Sequence, residues 1–128
     1  MVTKKEAEFL KERAINFLKN GKYLLEKGIL DIAAFNIEQF CQLYLKYKLL
    51  LRIGDFSKTH SLKELFGEFA EVVEKGKIKG FVERNISVIA NLENAYITSR
   101  YIPMKFEESE VKEMVRFAKK FKSFIDGI

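Results

Sequence analysis

The chain of 128 residues holds one histidine, His60, and one cysteine, Cys41. Imidazoles as a class exchange protons near neutral pH, so His60 is the natural acid or base candidate. A cysteine–histidine pair becomes a nucleophile when a third group orients the base, and no such partner is visible in the sequence. A plainer role is available and preferred: His60 lies at a helix start, where it can satisfy the loop Asp55–Thr59. Cys41 sits among Phe40, Tyr44 and Leu45 and reads as core. One cysteine and one histidine cannot build a zinc site from nitrogen and sulfur ligands. No catalytic residue, metal or cofactor is therefore assigned.

Two further groups could bind rather than react. Tyr96, Arg100 and Tyr101 set a guanidinium among aromatic rings. Such a set can hold a phosphate bidentately and stack a base. It can equally be a hydrogen-bond network ending a helix at Pro103. Gln39, Gln42 and Lys46, with Asp31 and Glu38, fall on about a third of a helix circumference. Lys46 with Gln39 and Gln42 would line a polar groove, or the stripe is simply solvated. Arg84, Ser87, Asn91, Asn94 and Thr98 share another face, and their neutral amides and hydroxyls fit a wet cleft as well as a solvated surface. The basic stretch EKGKIKG, residues 74–80, lacks the ending and the preceding strand of a phosphate-binding loop and reads as a flexible linker.

These residues need helices to position them. Apolar positions recur at helical spacing over residues 4–27, about 30–53, from Ser61 to near Gly76, about 81–100 and about 108–126. Gly28 and Gly54 are well placed as stops, and Ser61-Leu62-Lys63-Glu64 matches a capping box. The expected fold is all-α, a five-helix up-and-down bundle forming one domain over residues 1–128. The second helix is apolar around most of its circumference. A bundle this small has little room to enclose it, which predicts that part of its surface is a homodimer contact.

Composition narrows the class. With 32% charged residues and no apolar run near ~20 residues, no membrane span is expected. The charged start MVTKKEAEF lacks a secretory h-region, and one cysteine makes no intrachain disulfide, so a cytoplasmic location is expected. The abundance of Lys and Glu fits a thermophile. The net charge of +5 permits binding to phosphates or nucleic acid, although interspersed acids make solubility the simpler reading.

At three places the chain resembles the HEPN family (higher eukaryote and prokaryote nucleotide-binding domain). Ala34-Phe35-Asn36-Ile37-Glu38-Gln39, leading into Gln42-Leu43-Tyr44-Leu45-Lys46, is similar to the family's Ala-Phe-(His/Asn)-x-Gln-Gln-x-x-Glu-Lys-x-Leu-Lys. Thr59-His60-Ser61-Leu62 matches Thr-His-(Asp/Ser)-Leu, and the run Ala95 to Pro103 is close to Tyr-x-x-x-Arg-Tyr-Pro. Gln42 replaces a frequent glutamate, and Ile102 separates Tyr101 from Pro103. The resemblance implies a commonly homodimeric bundle, often encoded beside a small nucleotidyltransferase in a toxin–antitoxin-like pair. Distant branches are metal-independent ribonucleases using Arg-x(4–6)-His. Here residues 53–55 hold no arginine, and Arg52 lies one position too far from His60.

The preferred expectation is a non-catalytic bundle that binds nucleotide or RNA phosphate through Gln39, Gln42, Lys46, His60, Tyr96, Arg100 and Tyr101. One alternative is a divergent ribonuclease using His60 with Arg52 or Arg100. Another is a structural dimeric interaction module.

Overall fold

The computed structural model describes residues 3–102 and 105–128. Among them are six helices and no strand: α1 (Lys4–Glu26), α2 (Leu30–Ile53), α3 (Leu62–Val72), α4 (Lys75–Arg84), α5 (Ile86–Tyr101) and α6 (Glu108–Asp126). None is long and apolar enough to cross a membrane. The expected end of α5 at Pro103 falls outside the described residues.

Local chemistry sets several boundaries. Thr3 caps α1 by accepting the Glu6 N–H at 3.1 Å. At its other end Ile29 N–H reaches the Leu24 carbonyl and Gly28 N–H that of Leu25. This Schellman closure needs the left-handed φ of +75° that Gly28 supplies without strain. Gly54, also at +75°, ends α2. On α6 the Glu110 carboxylate reaches back to the Glu107 N–H at 2.8 Å.

The α2 helix is the axis of the molecule. Helix α1 runs antiparallel to it, with the Asn20 amide donating to Asn36 at one end and the Lys11 ammonium over the Tyr47 ring at the other. Helix α5 is also antiparallel, placing Tyr96 against Phe35. Helix α6 runs parallel to α2: Phe121 packs on Phe40, and Asp126 accepts from the Tyr44 hydroxyl. The α3–α4 pair closes the remaining side through Phe66, Phe81, Phe117 and Phe121. This enclosure covers the middle of α2 but not its two ends. Ala33, Ile37, Phe40, Cys41, Leu45 and Leu49 are all 0% exposed within a single chain. Large apolar side chains stand exposed at the ends of α2, at Ile32, Leu51 and Ile53, and on α5, at Ile86, Ile97 and Tyr101.

The helix count is corrected from five to six. Residues 74–80 are not a linker but mostly the first turns of α4, anchored by the buried Ile78 and Phe81. The expected single helix over 81–100 breaks at Asn85, whose side-chain amide donates to the Phe81 carbonyl at 2.8 Å. Gly76 and Gly80 gave this segment low helix propensity, and burial of two large apolar side chains overrides it.

Candidate functional site

The polar side of α2 is buried. Glu38 is 0% exposed, Gln42 2% and Lys46 7%, so the expected solvated stripe is overturned; Gln39 is half-buried. Packing of α5 and α3 over this side removes it from water. Its polar groups pair internally, as burial requires. Gln42 Nε2 donates to Glu38 Oε2 at 2.5 Å, and Gln39 Nε2 to Glu38 Oε1 at 2.8 Å. Burial is the main cause that lifts the Glu38 pKa from 4.5 to about 7. The two amide bonds oppose the rise, nearby Glu93 adds to it and Lys46 opposes it. Burial also lowers the Lys46 pKa, against the pull of Glu38 and Glu68. The Lys46 ammonium lies 5.5 Å from the Phe56 ring centre, and Glu68 accepts from the Ser57 hydroxyl at 2.6 Å. These contacts tie down the loop leading to His60.

The start of α3 departs from a simple capping box. Ser61 Oγ accepts the Glu64 N–H at 3.3 Å, as expected. The Glu64 carboxylate, however, takes the Thr59 hydroxyl, and Thr59 Oγ1 accepts the Ser61 N–H at 3.1 Å. A side chain from α5 completes the cap. Glu93 Oε1 accepts from Ser61 Oγ at 3.0 Å and from the Lys63 N–H at 2.9 Å. A carboxylate there also complements the positive end of the α3 dipole.

Next to this cap the aromatic and basic candidates converge. The exposed His60 ring stacks on Tyr96 at 5.0 Å, with the planes 19° apart. Tyr96 in turn lies 6.2 Å from Phe35, with planes 21° apart. The Arg100 guanidinium is 4.9 Å from the Tyr96 ring and 5.0 Å from the Tyr101 ring, and it donates to the Tyr101 hydroxyl at 3.0 Å. His60, Ser61, Glu93, Tyr96 and Ile97 line a cleft of about 210 Å³. The result is an open ledge with a stacking surface and a cation, backed by a buried layer of Glu38, Gln39, Gln42 and Lys46.

The sequence candidates therefore separate. His60, Tyr96, Arg100 and Tyr101 share the ledge. Gln39, Gln42 and Lys46 lie in or beside the layer behind it. Phe35, Glu38 and Glu93 were missed as site residues. Phe35 and Glu38 lie within the Ala34–Lys46 motif, and Glu93 lies three residues before Tyr96 on the same helix. Arg52 is held elsewhere, donating to the Ile128 carbonyl at 2.8 Å. Cys41 is core as expected; burial, with a smaller contribution from Glu38, pushes its thiol pKa up and disfavours a thiolate. The suggested polar line on α5 is interrupted, because Arg84 belongs to α4 and Thr98 bonds its hydroxyl to the Asn94 carbonyl. A larger groove of about 330 Å³ between α3 and α4 has Phe66, Ala70 and Ile78 in its lining, but it lacks the converging aromatic and basic groups of the ledge.

Comparison with known proteins adds the family. The chain is similar to a solved structure, TT1696 from Thermus thermophilus, with a TM-score of 0.74 and 25% identity; the match covers 94% of this chain and 96% of that one. No curated protein matches the chain. The HEPN domain model matches residues 7–128, which takes in α1 from its fourth residue, the other five helices whole, the ledge and the buried layer behind it. With that match over nearly its whole length, the chain belongs to the HEPN domain family.

Proposed function

We propose that this HEPN bundle is a non-catalytic binding protein that takes nucleotide or RNA phosphate on the ledge formed by His60, Tyr96, Arg100 and Tyr101. The single observation that carries this reading is the Arg100 guanidinium set 4.9 Å from a Tyr96 ring already stacked by His60. A guanidinium pairs with phosphate bidentately, and the neighbouring rings offer a base its π-face. Gln39, Gln42 and Lys46 serve as the support that holds this surface. The protein works as a homodimer beside a separate small nucleotidyltransferase, in the toxin–antitoxin-like arrangement common in the family. The exposed apolar side chains on α2 and α5 support the dimer.

The binding test is a titration with mononucleotides and short single-stranded RNA at several salt concentrations. Saturable, salt-sensitive binding that Arg100→Ala abolishes is expected. Absence of saturable binding overturns the reading. Sedimentation at micromolar concentration tests the dimer, and co-purification with a transferase tests the partner. One observation favours a second reading: His60 and Arg100 meet on the same tyrosine, as a ribonuclease using this pair would need. RNA cleavage in the presence of a chelator, lost in His60→Ala, would select that reading.

A further inference from the structure

We propose that the ledge selects guanine, with Glu93 reading the base's Watson–Crick edge. This rests on the nucleotide-binding reading above and names its ligand class.

Glu93, Tyr96 and Arg100 are spaced by three and four residues on α5, which puts them on one face. Seven residues of helix rise about 10 Å, roughly the reach of a nucleotide from base edge to 5′-phosphate. The order along that face is carboxylate, ring, guanidinium. Glu93 and Tyr96 both line the cleft, and Arg100 lies against Tyr96 from the next turn. A base stacked on the His60–Tyr96 surface with its phosphate at Arg100 directs its far edge towards Glu93.

The Glu93 carboxylate is both held and incompletely used. Its two hydrogen bonds, from Ser61 Oγ and the Lys63 N–H, go to Oε1. Among the described residues no donor is bonded to Oε2. The cap of α3 therefore accounts for one oxygen and orients the other. An ionised carboxylate only accepts hydrogen bonds. Guanine alone among the common bases presents two adjacent donors, N1–H and the N2 amino group, which can converge on such an oxygen. Adenine and cytosine set a ring-nitrogen acceptor beside their amino donor, and uracil flanks its single N–H with carbonyl oxygens. Each of these turns a lone pair towards the carboxylate.

The probes are GMP, IMP and AMP, with single-stranded RNA hexamers rich in G or in A, titrated against the full chain. GMP is expected to bind about tenfold or more tighter than AMP, the size of a charge-assisted hydrogen-bond pair. IMP, which lacks the N2 amino group, should fall between them. Glu93→Gln should remove the preference for GMP, because it weakens GMP binding and no longer sets a carboxylate lone pair against the edge of AMP. It keeps a side-chain oxygen for Ser61 and Lys63, and a thermal melt confirms that it folds. The inosine arm needs no variant. If the source is RNA, the G-rich hexamer binds more tightly than the A-rich one; if it is a free nucleotide, the preference appears with GMP alone. Equal affinity for GMP and AMP, with both weakened by Arg100→Ala, would overturn guanine selection and leave nucleotide binding standing. No binding of any probe overturns both.

Discussion

The imidazole of His60 lies nearly parallel to the ring of Tyr96, 5.0 Å between centres, and so joins the loop before α3 to the middle of α5. Neither ring alone makes a binding surface. Phe35 also lies nearly parallel to Tyr96, and the Arg100 guanidinium stands 4.9 Å from the same ring, so Tyr96 is the centre of an aromatic and basic cluster. Tyr96→Ala should therefore weaken nucleotide binding about fivefold or more, since base–aromatic stacking contributes about 1–3 kcal/mol. Tyr96→Phe keeps the face and should keep the affinity within about threefold. Calorimetric titration of both variants separates the ring from its hydroxyl, and an equal loss in both would assign the effect to the hydroxyl.

Glu38 makes stability depend on pH. Its pKa rises from 4.5 to about 7 on folding, chiefly through burial. Between those values the folded protein holds a proton that the unfolded chain releases. The stabilisation is fully present below about pH 4.5 and is lost as pH rises through about 7, with a magnitude on the order of 3 kcal/mol. Glu38→Gln imitates the neutral acid. It should flatten the dependence between pH 5 and 8 and be more stable than the parent at pH 8 by about 1–3 kcal/mol. Urea denaturation at the two pH values measures this, and a parent protein whose stability rises relative to the variant over that range would contradict it.

Gly21 marks the closest approach of α1 to α2. A Cβ placed there would lie 2.5 Å from Ile37 Cδ1 and 3.3 Å from the Ala33 carbonyl oxygen, and Ile37 is wholly buried. Gly21→Val should lower stability by about 1–3 kcal/mol, as overpacking does. Alanine should also be destabilising, even though it gains up to about 1 kcal/mol in helix propensity. Thermal melts of both variants decide the matter, and a stabilised alanine variant would show that Ile37 yields at little cost.

Gly76 should behave in the opposite way. It lies in the first turn of α4, is exposed, and has no atom within 4 Å of a built Cβ. Its φ is not positive, since among the described residues only Gly28 and Gly54 have that conformation. Gly76→Ala should stabilise by about 0.5–1 kcal/mol by restricting the unfolded chain. A flexible linker would show no such gain, so a neutral result in chemical denaturation would argue against helix at this position.

Asp126 governs the acid limit. Burial works to raise its pKa, but hydrogen bonds from Tyr44, Lys122 and Lys48 prevail and hold it down to about 2. The stabilisation is present above the usual carboxylate value near 3.8 and disappears as pH falls through about 2. The side chain is partly exposed, so solvent screens these contacts, and Asp126→Asn should cost about 1 kcal/mol or less at pH 7. Denaturation at pH 7 and pH 2 should show the deficit shrinking at the lower value, and an equal deficit at both would remove the carboxylate's charge from the explanation.

Much of the fold was legible because local chemistry repeats along the chain. Apolar periodicity placed α1, α2, α3 and α6. Gly28, Gly54 and Ser61 marked their boundaries, since left-handed stops and side-chain caps act within a few residues. Three short motifs identified the family before any packing was known. Helix α4 was not legible, because Gly76 and Gly80 argue against a helix while the contacts of Phe81 that favour it lie far away in the chain. The site followed the same division. Periodicity put Glu38, Gln42 and Lys46 on one stripe, but a stripe's exposure depends on what packs over it, and α5 and α3 bury this one. The sequence alone determined which side chains share a helix face. Only tertiary packing brought His60 to Tyr96 and Glu93 to the start of α3, because stacking and capping across helices depend on distances that no local period encodes.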